Sequence, residues 1–226
     1  MKLIKYFSKF ELSLWLSSLV LILISYFLFD RSSTLTLIAS LLGATSLIFC
    51  AKGNPFGQLL MVIFSILYGY ISISFAYYGE MITYVGMSGP MALYALISWL
   101  KNPYKGNKSE VQVNRLKGRD IAFMSFFALL VSVIFYFILK HFNTANLLPS
   151  TLSVTTSFAA VYLSARRSPY FALVYALNDL VLIVLWVLAS IEDPSYISVV
   201  VCFVMFLAND SYSFYNWRRM QKRQEA

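Results

Sequence analysis

Charge is scarce in this sequence, and histidine and cysteine are scarcer still. Of its 226 residues 12% are charged and 59% hydrophobic, with one His and two Cys. So little charge cannot cover the surface of a soluble domain, and a mean hydropathy of +0.70 places the chain in lipid. The two thiols, Cys50 and Cys202, fall at different depths of different apolar runs, which excludes a disulfide and a thiolate metal site. His141 stands alone in an outer loop and reads as a solvated histidine, not a proton relay. There is no Gly-rich phosphate loop and no Ser-His pair within membrane reach, so neither an enzyme nor a bound cofactor is expected. No polar segment is long enough to hold an ATPase domain, which excludes a nucleotide-driven pump.

What is abundant is apolar length. Runs of about 20 residues, enough to cross a bilayer of roughly 30 Å, extend from Leu12 to Phe29, Thr34 to Ala51, Phe56 to Tyr78, Met81 to Leu100, Ile121 to Leu139, Leu148 to Ala165, Tyr170 to Ser190 and Tyr196 to Trp217. Continuous runs without alternation predict helices, not barrel strands, and so an all-α membrane protein with about eight transmembrane helices. The first run is kept as a helix, because it lacks a small-residue cleavage site and is followed directly by Asp30 and Arg31. Eight crossings put both termini on one side, and every Lys and Arg except Arg31 and Lys140 then falls on that side. Lys and Arg near span ends resist translocation, so both termini are expected in the cytosol of a multi-pass cell-membrane protein. The net charge of +8 is accounted for by topology, without nucleic acid.

The polar, basic stretch "KNPYKGNKSEVQVNRLKGRD" (Lys101 to Asp120) divides the chain into halves of four spans that echo one another. "AKGNPF" (Ala51 to Phe56) precedes the third span as "ARRSPY" (Ala165 to Tyr170) precedes the seventh, and a Trp closes each half, Trp99 in "SWLKN" and Trp217 in "NWRRM". Corresponding spans lie four apart and run in the same direction, which describes a parallel repeat with substrate bound between its copies.

Polar groups at membrane depth concentrate in the second half. In "YALNDLVLIVLW", Tyr175, Asn178, Asp179, Leu182 and Trp186 share one helical face. In "LANDSYSFYNW" the Asn-Asp pair recurs as Asn209 and Asp210, followed by Tyr212, Ser213 and Asn216. Both pairs lie roughly 12 Å inside their span ends at 1.5 Å per residue. Burying a carboxylate there costs about 2.5 to 3.5 kcal/mol, so these groups face a bundle interior or a wet cavity; they either join helices or hold a polar ligand. Hydroxyl and aromatic stripes add Ser65, Tyr68, Ser72 and Phe75 on the third span, Tyr84, Ser88, Met91 and Tyr94 on the fourth, and Thr151, Thr155, Phe158 and Tyr162 on the sixth. Counted from the shared Pro, the first half has Phe64 and Ser65 where the second has Asn178 and Asp179, an asymmetry that suits a ligand with a ring at one end and hydroxyls at the other.

The order and spacing of "LYG…YYGEM" (Leu67 to Met81), "SWLKN", "R-x-P…ALND…W" and "AND…YNWRR" resemble the PnuC family of nicotinamide riboside transporters over nearly the whole chain. The resemblance implies a fold like the SWEET sugar transporters, with two parallel three-helix bundles joined by a linker helix. Here that would be one integral membrane domain: an extra N-terminal helix (1–30), a first bundle (34–100), a cytosolic loop (101–119), the linker helix (120–140), a second bundle (148–217) and a cytosolic tail (218–226). It implies facilitated diffusion of nicotinamide riboside (vitamin B3) for NAD synthesis, with a cytosolic kinase trapping the riboside by phosphorylation, and it allows a homotrimer. By motif Asn178 and Asn209 would contribute polar groups of the substrate site, with Trp186 and Tyr212 as aromatic neighbours. Tyr175, Tyr68, Tyr84, Ser88 and Thr155 complete the candidate set. The riboside's cationic ring suits Trp and Tyr faces, worth about 0.5 to 2 kcal/mol each, and Asp179 could balance its charge. The first half is less rich in Gln and Trp than in some relatives, with Tyr84 where the resemblance leads one to look for a Gln, which leaves thiamine, riboflavin or a deoxynucleoside open as substrates. An ion-coupled symporter using Asp179 and Asp210, a sugar carrier and a non-transporting membrane scaffold stay open as well.

Overall fold

A computed structural model describes residues 6–31, 33–74, 81–144 and 146–226, without the side chains of 72–74. Lys2, Lys5, Phe75, Tyr78, Gly79, Glu80 and the side chain of Ser72 lie outside the described residues.

Helix α1 (Lys9–Phe29) starts at a capping box in which Ser8 and Glu11 satisfy each other's backbone N–H. Ser33 caps α2 (Thr34–Ala51), and the chain turns through Gly53, at φ 65°, into α3 (Pro55–Ser74). A π-helix (Ile82–Ser88) runs directly into α4 (Gly89–Lys101), the Gly89 N–H reaching back to the Tyr84 carbonyl. Pro90 has no N–H with which to continue an α ladder, which accounts for the wider turn at this place. A hairpin follows, β1 (Pro103–Tyr104) and β2 (Asn107–Val111), closed by Lys105 and Gly106, both at positive φ as a primed turn requires. Then come α5 (Gly118–His141), α6 (Leu147–Ala165), α7 (Tyr170–Glu192), a 3-10 turn (Pro194–Tyr196) and α8 (Ile197–Glu225). Among the described residues six helices, α1, α2, α5, α6, α7 and α8, are long and apolar enough to cross a membrane.

The expected boundaries differ most at α8, which continues past Trp217 through the residues expected as a tail. Those last turns are held from outside: Gln224 accepts from the Val113 N–H and donates to the Val111 carbonyl, Arg223 pairs with Glu110, and Arg115 with Glu225. The 101–117 segment is therefore docked on the bundle, and Val111 is fully buried.

At the end that carries most of the basic residues, the two halves exchange equivalent contacts. Trp99 Nε1 donates to the Ser164 carbonyl at 2.8 Å, and Trp217 Nε1 donates to the Cys50 carbonyl at 2.8 Å. One residue earlier in each case, Ser98 Oγ bonds the Ala165 carbonyl and Asn216 Nδ2 the Ala51 carbonyl. Ser164-Ala165 and Cys50-Ala51 precede the matching "RRSP" and "KGNP" turns, so each half is bonded to the same place on the other. The turns also share backbone form: Gly53 and Arg167 both have positive φ, and their carbonyls accept the N–H groups of Val111 and Asn114. The indole rings meet with centroids 5.2 Å apart, packed with Phe171, Leu163 and Met220. In the membrane, α4 packs on α6 and α2 on α8, a further pair of equivalent contacts, while α1 lies against α8 and α2, and α5 against α6.

A carboxyl pair walled by aromatic rings

Asp179 on α7 and Asp210 on α8 bring their carboxyls into hydrogen-bond contact in the interior, with 3% and 2% of each residue exposed. A carboxylate oxygen only accepts, so this contact requires a proton on one of the two groups. One oxygen of Asp179, Oδ2, is buried and accepts no hydrogen bond from a donor among the described residues. Unpaired acceptors of this kind are rare in folded interiors, which makes this carboxyl at membrane depth a candidate position for a ligand group.

An aromatic residue adjoins the pair. Tyr175, one turn before Asp179, lies within electrostatic reach of both carboxyls, of Cys50 on α2 and of Tyr84 on the π-helix. Tyr84 packs against Tyr68, centroids 4.4 Å apart, and Phe64 completes a three-ring group from the first half. Tyr175 thus adjoins the carboxyl pair, and through Tyr84 the three-ring group of the first half comes within electrostatic reach of Tyr175. Rings stacked on a flat heterocycle and tyrosine hydroxyls near its substituents are what such a set offers a ligand.

Asn178 points elsewhere on α7. Its Oδ1 accepts hydrogen bonds from Thr156 Oγ1 at 2.7 Å and Ser153 Oγ at 3.3 Å, both on α6. Thr155, the hydroxyl singled out on that helix, faces outward instead and meets Ser132 of α5 at 2.6 Å. Adjacent residues on a helix differ by about 100° in direction, which separates Thr155 from Thr156. Ser88 is half-buried at the end of the π-helix.

The remaining candidates gather around α1. Asn209 Nδ2 donates to Ser18 Oγ at 2.9 Å, and Tyr212 donates its hydroxyl to Glu11 at 2.8 Å. Glu11 also holds Lys52 at 3.0 Å and the Ser8 N–H. Trp186 packs with Ile22 of α1, Ala44, Phe203 and Phe206, and its ring lies 5.2 Å from Tyr196. The structure therefore brings together Tyr175, Asp179, Tyr68 and Tyr84, places Asn178 on the α6 side, and sets Asn209, Tyr212 and Trp186 on the α1 side. Sequence reading passed over Glu11, Ser18, Ser153 and Thr156. The spacing of Glu11, Ser18 and Ser25, a polar stripe along an otherwise apolar run, was the available signal for α1.

A cavity of about 710 Å³ opens at the basic end among Tyr6, Glu11, Lys52, Glu110, Arg219 and Arg223. It lies apart from the carboxyl pair, and two of its cations are already matched, Lys52 by Glu11 and Arg223 by Glu110. The buried pair carries the stronger chemical signal, because its acceptor is both unmatched and shielded from water.

Comparison with known proteins decides the family. The profile described as nicotinamide mononucleotide transporter matches residues 33–219. The chain belongs to this family. It is 26% identical over 216 residues to the nicotinamide riboside transporter PnuC of Neisseria mucosa, an alignment covering 93% of this chain and 82% of that one. A crystal structure of the vitamin B3 transporter PnuC superposes with a TM-score of 0.81 over 96% of this chain and 94% of the other, at 23% identity, and so shares its fold. This is a multi-pass PnuC-family membrane transporter, not an enzyme.

Proposed function

We propose that the protein carries nicotinamide riboside across the cell membrane by facilitated diffusion, with the inward gradient kept by a cytosolic kinase that phosphorylates the riboside for NAD synthesis. The unpartnered oxygen of buried Asp179, beside a wall of tyrosines, carries this reading. The riboside's pyridinium ring is flat and cationic: Asp179 supplies the opposite charge, and Tyr68, Tyr84 and Tyr175 supply ring faces and hydroxyls. Asn178 lies about 100° round α7 from Asp179, on the side of α6, where Thr156 and Ser153 hold its Oδ1, and in this reading its Nδ2 donates to the amide or ribose.

The same electrostatics choose between the two ligands named in the comparisons. A mononucleotide adds a phosphate carrying nearly two negative charges. The described residues that bear electrostatically on the pair include Tyr175, Cys50 and Cys202, which are not cations. Like charge at low dielectric is costly, which favours the riboside. Thiamine, also a ring cation, is the competitor that charge alone does not exclude.

The architecture we propose is the 3+1+3 arrangement, with α2–α4 and α6–α8 as parallel bundles, α5 as linker, α1 as the extra helix and both termini cytosolic. The reciprocal Trp99 and Trp217 bonds and the matched α2–α8 and α4–α6 contacts support it. Assembly as a homotrimer belongs to the same proposal. In this arrangement Asn209, Tyr212 and Trp186 serve chiefly to fix α1 on the second bundle.

Calorimetric titration of the detergent-purified protein with nicotinamide riboside, thiamine and a neutral nucleoside tests the substrate. The riboside should bind saturably, and Asn178→Ala should weaken it about five- to ten-fold, the worth of one hydrogen bond of about 1 to 1.5 kcal/mol. Binding of thiamine alone would reassign the substrate, and no binding by any of the three would refute the transporter site. Tyr212→Phe is expected to leave riboside affinity unchanged but to lower thermal stability by about 1.5 to 3 kcal/mol, since its hydroxyl bonds a carboxylate. A loss of affinity in that variant would return Tyr212 to the substrate site.

A further inference from the structure

The cavity of about 710 Å³ at the basic end takes no part in the riboside reading, and its lining has a chemistry of its own. Its volume falls among those of ligand pockets, about 300 to 1,000 Å³. Helix α8 contributes Tyr212, Asn216, Arg219 and Arg223, which follow one another at intervals of four, three and four residues and so share one helical face. Lys52 at the end of α2 and Glu11 near the start of α1 line the same space, and the hairpin adds Ser109 and Glu110. Tyr6 joins two of these parts: its hydroxyl accepts from Asn54 Nδ2 at 3.1 Å and donates to the Ser109 carbonyl at 3.4 Å.

The charges in this space do not cancel. Glu11 is saturated by the protein, accepting from Lys52, from the Tyr212 hydroxyl and from the Ser8 N–H. Glu110 accepts from Arg223 and, at 2.8 Å, from Gln224. Each carboxylate thus has its own cation, and a third cation is left over. Arg219 is exposed and forms no ion pair or hydrogen bond among the described residues, although its charge lies within electrostatic reach of the Tyr212 hydroxyl. An unpaired guanidinium offers five N–H donors in a planar fork that fits two phosphate oxygens at once. Arg223, one turn further along the same face, spends one terminal nitrogen on Glu110 and keeps other donors. A neutral ligand would leave the surplus charge unanswered, whereas a phosphate answers it with charge-assisted bonds.

We propose that this cavity binds a phosphate group, held by Arg219 with Arg223 as the second donor. Two sources present that group at a basic span end: the headgroup of an anionic lipid, which such residues attract, and a soluble phosphate. In either case the ligand ties α8 to the hairpin and to α1, and the loaded protein resists heat better than the free one. The site is separate from Asp179 and its tyrosines, so the riboside assignment and this one stand or fall independently.

The test is thermal unfolding of the detergent-purified protein titrated with inorganic phosphate, against sodium chloride at equal ionic strength. A parallel titration uses dioctanoyl phosphatidylglycerol, against zwitterionic dioctanoyl phosphatidylcholine. The melting temperature should rise saturably above the matching control. A rise with phosphatidylglycerol alone assigns the site to a lipid headgroup, and a rise with inorganic phosphate assigns it to a soluble phosphate. Arg219→Gln should weaken the effective ligand about ten- to a hundred-fold, the loss of a charge-assisted contact. Because Arg219 bonds no other described group, this variant should melt without phosphate, and bind riboside, as the wild type does. Lys101→Gln removes an exposed charge at the same end but outside the cavity, and should respond to phosphate as the wild type does. No rise with either phosphate ligand would overturn the site. So would a rise that Arg219→Gln leaves intact, or an equal loss in Lys101→Gln, which would trace the effect to the general charge of this end.

Discussion

Asp179→Asn is expected to weaken binding of the riboside cation by about ten- to a hundred-fold, the range corresponding to the 1.5 to 3 kcal/mol of a charge-assisted contact. The uncharged reduced riboside should lose little, since Asn keeps the size and most of the hydrogen-bonding capacity of Asp. The substitution removes the carboxylate whose Oδ2 has no partner. It leaves Asp210, which lies near Cys50 and Tyr175 and can retain a charge of its own, so the loss is a fraction of the interaction and not all of it. Parallel titrations of wild type and variant with both ligands make the comparison. Equal losses for the charged and uncharged forms would show that Asp179 acts by shape or by packing, and the counter-ion role would have to be given up.

The second large effect concerns the basic end. Trp99→Phe and Trp217→Phe each keep a ring in place but delete an indole N–H, leaving the Ser164 or the Cys50 carbonyl buried without that donor. Such a loss costs about 0.5 to 1.5 kcal/mol, because the Arg167 and Gly53 N–H groups still donate to those two carbonyls. Truncation to Ala should cost about 3 to 5 kcal/mol, because both side chains are completely buried. The two Phe variants should be destabilised to a similar degree, since the bonds are equivalent between halves. Their double variant should lose less than the sum, as the two rings touch and share one cluster. Thermal unfolding in a single detergent measures all three, and a shift of a few degrees is expected for each single Phe variant. A large effect at one Trp with none at the other would mean that the exchanged bonds do not work as a pair.

How much of this was readable in advance depended on whether the signal was local. The ends of α2 at Thr34 and Ala51 were legible to the residue, because Ser33 caps one end and Lys52-Gly53 breaks the other. The end of α8 was not: apolar periodicity stops near Trp217, whereas the helix is continued by Gln224 and Arg223 bonding a hairpin more than 100 residues earlier. The importance of the Asn178–Asp179 and Asn209–Asp210 motifs was visible as polarity inside apolar runs, but their partners were not. Asn209 meets Ser18 across 191 positions, and the contact between Asp179 and Asp210 depends on how α7 and α8 are rotated against each other. On α6 the sequence singled out Thr155, yet a one-residue difference sends Thr155 to α5 and Thr156 to Asn178. Helix rotation about its own axis is set by tertiary packing, and hydropathy in an all-apolar run constrains it weakly.

Transport of the riboside itself is the most direct test. Labelled nicotinamide riboside should enter proteoliposomes containing the purified protein in a saturable manner, above the leak into protein-free vesicles. Uptake should be suppressed by unlabelled riboside and scarcely by nicotinamide mononucleotide at the same concentration. Uptake no faster than leak, or equal suppression by the mononucleotide, would contradict a riboside carrier built around a buried carboxyl pair.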